Sequence, residues 1–180
     1  MTTIILFVLL AAAISIGFIR MKYGNYIAGK MAMKNNPQKA ARLFEKSIQH
    51  FNQIDKSYFE LALCYQNIAQ QETANKEFNQ SKAFLNLFNA LYYSKENDNY
   101  KILEKTKSHI HDLYFSFNSE QKEKNLNHIF SLNGSYGTNY HLPGFLSIIN
   151  NELSSIYRDF EKINNIHFKI FQEKISENNR

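Results

Sequence analysis

An all-α fold is predicted by three features of this 180-residue sequence. The chain contains only two prolines and six glycines, too few for the many tight turns of a β fold. Leu, Ile, Phe, Lys, Glu, Gln and Asn are abundant. Apolar residues recur at spacings of three and four through most of the chain, which is the periodicity of amphipathic helices. We therefore expect helices from one end to the other and no sheet.

The first helix is predicted to be a membrane anchor over residues 1–20. Thr3 to Ile19 contains no charged residue and would span about 25 Å as a helix, close to the thickness of a bilayer core. No basic residue precedes this run, and Phe18-Ile19-Arg20 is a poor signal-peptidase site. An uncleaved transmembrane helix is therefore favoured over two alternatives, a cleaved secretory signal and a buried N-terminal helix.

The basic residues that follow the run predict its orientation. Between Arg20 and Lys46 one acidic residue, Glu45, accompanies seven basic ones: Arg20, Lys22, Lys30, Lys34, Lys39, Arg42 and Lys46. Such a bias places the domain in the cytoplasm, at a cell (inner or plasma) membrane. The residues expected at the lipid interface are Arg20, Lys22, Tyr23, Tyr26 and Lys30. The alternative is a solvated basic helix face without lipid contact.

A repeat with a period of 34 residues is visible in the next part of the chain. Four pairs of identical residues have this spacing: Ala40 and Ala74, Phe44 and Phe78, Ser47 and Ser81, Asn52 and Asn86. The second copy reads Tyr58-x2-Leu61-Ala62-x2-Tyr65 and then Ala74-x3-Phe78, which resembles the tetratricopeptide repeat family. The resemblance covers residues 21–88, as two repeats of which the first is degenerate.

The resemblance implies antiparallel helix pairs that present a surface for a protein partner. Small residues at Ala62 and Ala74 are expected where helices cross, with Tyr65 and Phe78 filling the space between helix pairs. The full set of expected packing residues is Tyr58, Leu61, Ala62, Tyr65, Ala74, Phe78, Ala40 and Phe44. Asn36-Pro37 is predicted to begin one repeat helix, and Asp55 to cap the next.

The second half of the chain is predicted to supply the neighbours that an isolated pair of repeats needs. We expect additional helices over 89–131, including an amphipathic helix from Tyr100 to Phe117 and a capping box of Asn118 and Gln121. A loop rich in Gly, Asn and Ser covers 132–144. A long helix over 145–176 carries a stripe at heptad spacing, in which His167 interrupts the apolar residues Leu146, Ile149, Leu153, Ile156, Phe160, Ile163 and Ile170. This helix either caps the repeats or forms a coiled coil with another copy.

The sequence predicts no catalytic, cofactor or metal site, and so no enzyme. His109 and His111 are two apart on a predicted helix and therefore point to different faces. Cys64 is the only cysteine, which excludes an intramolecular disulfide. The chain outside residues 20–46 is slightly acidic, which disfavours nucleic acid as a partner.

A membrane-anchored adaptor that binds a protein partner, either a peptide or a helix, is the function these features favour. In topology the chain is similar to the N-anchored tetratricopeptide adaptors of bacterial envelopes, although those end in a cysteine-rich metal knuckle that this sequence lacks. The alternative is a structural subunit of a membrane assembly that forms homo-oligomers through its C-terminal helix. The composition, rich in Asn, Lys, Ile and Phe, points to a bacterial source.

Overall fold

The structure of the chain, a computed structural model, describes residues 2–50, 53–131 and 142–162. Its α-helices are α1 Thr2–Ala32, α2 Pro37–Gln49, α3 Ile54–Gln71, α4 Lys76–Glu96, α5 Tyr100–Ser116, α6 Ser119–Ser131 and α7 Leu142–Glu152. A short 3₁₀ turn, Thr73–Asn75, joins α3 to α4, and residues 154–162 are again helical. All elements in these ranges are helical, and the all-α prediction is confirmed.

The chain divides into two compact units, Met1–Thr106 and Lys107–Arg180. In the first unit each of the helices α1 to α4 packs against the next one in the chain. Because the connections are short, successive helices run antiparallel, as in helical hairpins. The core between α2 and α3 consists of Ala40, Ala41, Phe44, Leu61 and Cys64, and Tyr26 and Met33 pack against it.

Several helix ends follow the local chemistry that the sequence predicts. The side chain of Asn36 accepts a hydrogen bond from the Lys39 amide at 2.8 Å, and Pro37 is the first residue of α2. Asn118 and Gln121 form a reciprocal capping box at the start of α6, with bonds of 2.8 and 3.2 Å. Both predicted caps are confirmed.

The predicted cap at Asp55 is wrong. α3 begins at Ile54, one residue before Asp55, and follows Gln53 in a left-handed conformation (φ 43°) whose side chain makes no capping hydrogen bond. Asp55 is buried in the first turn and accepts a 2.6 Å hydrogen bond from the Asn99 amide group. Asn99 precedes α5, so this carboxylate links the starts of two helices instead of capping one.

The period of 34 residues does not continue into α4. Ile68 and Ala69 are buried, and their packing extends α3 as far as Gln71. The turn between α3 and α4 therefore falls where the second helix of the repeat was expected.

Two predicted packing positions change as a result. Ala74 lies exposed in the 3₁₀ turn, and Phe78 is 61% exposed. Their expected places are taken by Ala83 and Leu87, which have the same spacing nine residues later and are fully buried.

The second unit contains part of the predicted long helix. Ile149, Leu153, Ile156 and Phe160 are buried within this one chain. Lys107 on α5 donates a 3.0 Å hydrogen bond to Glu152, and Tyr114 on α5 donates one of 2.9 Å to Asp159. α5 and the C-terminal helical segments are therefore joined at two levels.

The boundaries of the C-terminal helix differ from the prediction. α7 begins at Leu142, inside the expected loop, and the helix is interrupted at Leu153. Backbone hydrogen bonds of the helical type continue on both sides of the interruption, from the Leu153 amide to Ile149 at 2.7 Å and from the Tyr157 amide to Leu153 at 3.0 Å. The rest of the predicted loop (132–141), the predicted helix beyond residue 162, and Asn52 of the repeat lie outside the described residues.

Within the described ranges, none of the helices is both long enough and apolar enough to cross a bilayer.

A substitution at Ala62 tests the packing of α3, which contacts both α2 and α4. Ala62 is fully buried, so Ala62→Leu should overpack the site and lower the free energy of unfolding by about 1–3 kcal/mol. Ala74→Leu, in the exposed turn, should change it by less than about 0.5 kcal/mol. Thermal unfolding of the detergent-solubilised full chain, followed by circular dichroism, measures both. Equal melting of the two variants would contradict the packing described here.

Candidate functional site

The α1–α3 junction is defined by Lys30 on α1, which is partly exposed, and Glu60 on α3, which is buried. Lys30 on α1 donates a 2.7 Å hydrogen bond to Glu60 on α3, an ion pair in which the Lys30 side chain is 46% exposed and that of Glu60 only 10%. The second carboxylate oxygen of Glu60 is buried and has no hydrogen-bond partner among the residues that the structure describes. Lys30 is thus the hydrogen-bond partner of a carboxylate that has lost most of its water.

Tyr26 extends this junction towards α2. Its ring packs edge-on against Phe44, with the ring centroids 5.7 Å apart. Burial, with smaller contributions from the Glu60 and Asp55 carboxylates, raises the pKa of Tyr26 to about 12. The phenol is therefore neutral at physiological pH and contributes packing and a hydroxyl group, with no charge.

Two of the residues expected at a lipid interface also have contacts with other helices. The Tyr26 ring packs against Phe44 on α2, and Lys30, which is still partly exposed, pairs with Glu60 on α3. Their predicted role at a lipid interface stays a prediction. Arg20 is exposed and Tyr23 is half-buried, while the side chain of Lys22 lies outside the described structure. The sequence carries no signal for the Lys30–Glu60 contact, because the two residues are 30 positions apart on different helices.

A second group of side chains forms an exposed aromatic patch, defined by Tyr65, Phe78, Lys82 and Glu45. The Lys82 ammonium group lies 4.6 Å from the centroid of the Phe78 ring and 5.0 Å from that of Tyr65. Tyr65 donates a 3.0 Å hydrogen bond to Glu45 on α2. The patch therefore draws side chains from α2, α3 and α4 and presents an apolar ring, a cation and an anion close together.

The electrostatics of the patch keep its tyrosine neutral and its lysine available. Burial, followed by the charge and hydrogen bond of Glu45, raises the pKa of Tyr65 above its ordinary value. Lys82 has ring contacts only and forms no ion pair with any residue in the described ranges. Such a cation, half-buried over aromatic rings, can bind a carboxylate of a partner while the Phe78 ring contacts an apolar side chain.

The predicted packing residues divide between core and surface. Ala40, Phe44, Tyr58, Leu61 and Ala62 are buried, whereas Tyr65 is half-buried, and Ala74 and Phe78 are exposed. The sequence analysis did not identify Phe78 as a surface residue, and it did not name Lys82 as a binding residue. The signal for the patch was the four-residue spacing of Phe78 and Lys82, which places the two side chains on one face of a helix.

The described part of the chain contains no group of three or more His, Cys, Asp or Glu side chains that could hold a metal ion. Burial, reinforced by Glu60 and opposed by Lys30, raises the pKa of the Cys64 thiol to about 12. Cys64 is therefore protonated at neutral pH and is a packing residue. The His111 ring packs against Phe115, with centroids 4.3 Å apart.

Comparison with known proteins gives no relative: no protein family model, no curated protein and no solved structure matches this chain.

The α1–α3 junction can be tested by removing its cation. Lys30→Met should lower the free energy of unfolding by about 1–3 kcal/mol, because the buried Glu60 carboxylate loses its partner. Lys34→Met is the matched control, since Lys34 is exposed and has no partner in the described residues. Chemical denaturation of the full chain in detergent measures both variants. If Lys30→Met unfolds at the same denaturant concentration as Lys34→Met, the ion pair contributes nothing.

Proposed function

We propose that this protein is a membrane-anchored adaptor that binds a protein partner through the exposed aromatic patch. The observation that carries the proposal is the 61% exposure of Phe78 beside Lys82, with Tyr65 on the adjacent helix. Aromatic rings with an adjacent cation are enriched where proteins bind one another. An acidic peptide or helix with an apolar side chain is the partner that this surface fits.

The anchor belongs to the same proposal and rests mainly on the uncharged run Thr3–Ile19. Six consecutive apolar residues, Ile5 to Leu10, are each more than half exposed in the isolated chain. Consecutive residues of a helix point in all directions around its axis, so the apolar surface here is not limited to one face. A helix that is apolar all round belongs in a protein core or a membrane.

A repeat architecture of the tetratricopeptide type remains part of the proposal for the first unit. Its support is the series of antiparallel helices α1 to α4, with small buried residues such as Ala40 and Ala62 between larger ones. After α3 the helices no longer follow the period of 34 residues. The proposal is therefore limited to the stacking of antiparallel helix pairs and does not include the repeat length of the family.

The alternative function, a structural subunit joined through its C-terminal helix, is less favoured by the burial of the apolar stripe. A seam between copies needs apolar side chains at the surface of the single chain. Ile149 and Ile156 are completely buried within one chain, and Leu153 and Phe160 are more than nine-tenths buried. The exposed Phe78 of the first unit is therefore the better candidate for contact with another protein.

The orientation of the anchor can be tested with reporters at the C-terminus. Because basic residues follow the apolar run, a fused reporter that is active only in the cytoplasm should be active. A fused reporter that needs export should be inactive on the same chain. The opposite pattern of reporter activity would reverse the proposed topology. Recovery of the chain in the cytosolic fraction, and not in the membrane fraction, would reject the anchor.

The aromatic patch can be tested by photo-crosslinking from position 78 of the full chain in native membranes. A photoreactive residue in place of Phe78 should give a discrete adduct with a partner protein, and Lys82→Gln should lower its yield by weakening the contact with a carboxylate. Phe115 provides the matched control, because it is 51% exposed and lies 5.2 Å from the Lys122 ammonium group. Adducts of equal pattern and yield from both positions would reject the patch as a specific site.

A further inference from the structure

Lys46 and Lys56 are two cations that flank the α2–α3 connection, at one end of the packed helices of the first unit. Lys46 is exposed on the last turn of α2, and Lys56 is half-buried in the first turn of α3. Neither ammonium group has an ion-pair or hydrogen-bond partner among the residues described. The two nearest acids in the sequence are engaged elsewhere, since Glu45 accepts from Tyr65 and Asp55 accepts from Asn99.

Contacts between the helices show that both lysines lie at the end of the packed helices α2–α4 that is nearer to Arg20. Ser57 donates a 2.9 Å hydrogen bond to Ser47, so the residues next to Lys46 and Lys56 are level with each other. Phe44 is level with Tyr26 and Gly29 of α1. Because α2 runs antiparallel to α1, Lys46 is level with α1 residues preceding Gly29, on the side of Arg20.

The distance of this pair from the end of the apolar run follows from helix geometry. Arg20 and Tyr26 are six residues apart, which is about 9 Å along the axis of a helix. Lysine side chains can extend several ångströms further, and electrostatic attraction acts over about 8 Å at physiological ionic strength. Both lysines are therefore within reach of a charged surface located at Arg20.

We propose that Lys46 and Lys56 bind the anionic headgroups of the bilayer in which α1 is anchored, and so place this end of the first unit against the membrane. The inference rests on the proposed anchor. Its occupant is a lipid surface because both lysines lie on the Arg20 side of Gly29, within reach of the end of the apolar run, and because two unpartnered cations complement anionic phosphate. Glu96 and Asp98 are exposed acids in the α4–α5 turn, and anionic headgroups would repel them. The elements that contact the lipid are therefore α2 and α3.

The experiment uses the full chain in vesicles of zwitterionic lipid that contain a small fraction of nitroxide-labelled lipid. A fluorophore is attached to Gln49→Cys, at the exposed end of α2, or to Asn35→Cys, in the exposed turn at the opposite end. The native Cys64 is buried and protonated, and so stays unlabelled. The nitroxide is carried on the headgroup of either an anionic or a zwitterionic lipid at the same mole fraction.

We expect the nitroxide on the anionic lipid to quench the Gln49→Cys fluorophore more strongly than the nitroxide on the zwitterionic lipid. The reason is that each lysine raises the local concentration of anionic headgroups about fivefold. Lys46→Gln combined with Lys56→Gln should remove this preference. Lys34→Gln combined with Lys76→Gln removes the same charge from exposed positions at the opposite end and should leave the preference intact. The Asn35→Cys probe should show no preference.

Three results would overturn the inference, and they distinguish a failure of the lysine contact from a failure of the anchor. Equal quenching of the Gln49→Cys probe by both lipids, or a preference that survives loss of Lys46 and Lys56, rejects the lysine contact alone. A separate probe at Ser15→Cys, in the apolar run, reports on the anchor through a nitroxide on the acyl chain. Absence of quenching there rejects the anchor, and the inference with it.

Discussion

The first unit depends on the close approach of α1 to α2 at Gly29. A Cβ atom at this position would lie 2.8 Å from the Phe44 ring, closer than any side chain tolerates without a shift of the ring. Because glycine leaves that space open, Phe44 can pack between the helices and meet Tyr26 edge-on. The next residue, Lys30, then reaches Glu60 on α3. One absent side chain thus allows α1 to contact two further helices.

The position of the exposed aromatic patch follows from the length of α3. Ile68 and Ala69 are buried and hold the last turn of α3 in place, so α4 starts at Lys76. Phe78 consequently falls in the first turn of α4, before the part of that helix that is buried from Ala83 to Leu91. The same packing that closes the core therefore leaves an aromatic ring outside it, beside Tyr65 of the preceding helix.

Sequence reasoning succeeded where the determining contacts are local. The caps at Asn36 and Asn118 use hydrogen bonds to residues three positions away, and such spacings can be read directly. Asp55 has the same chemistry as a cap, but its partner Asn99 is 44 residues away, so the local interpretation failed.

The repeat register failed for a related reason. The motif of a small residue followed by a large one occurs both at Ala74 and Phe78 and at Ala83 and Leu87. Only the packed length of α3 decides between them, and that length depends on contacts between helices. The exposed patch was missed for the same reason: the repeat register places Phe78 in the core, and this outweighed the four-residue spacing of Phe78 and Lys82.

α1 is one continuous helix from its apolar residues to the residues that pack against α2. A flexible linker would let the domain move freely about its attachment point, whereas a continuous helix transmits every change of tilt. Ala32 is twelve residues beyond Arg20, so a tilt of about 20° would displace the far turn sideways by about 6 Å. In an anchored chain, bilayer thickness would then affect the height and orientation of the surface offered to a partner, and the helix would act as a lever.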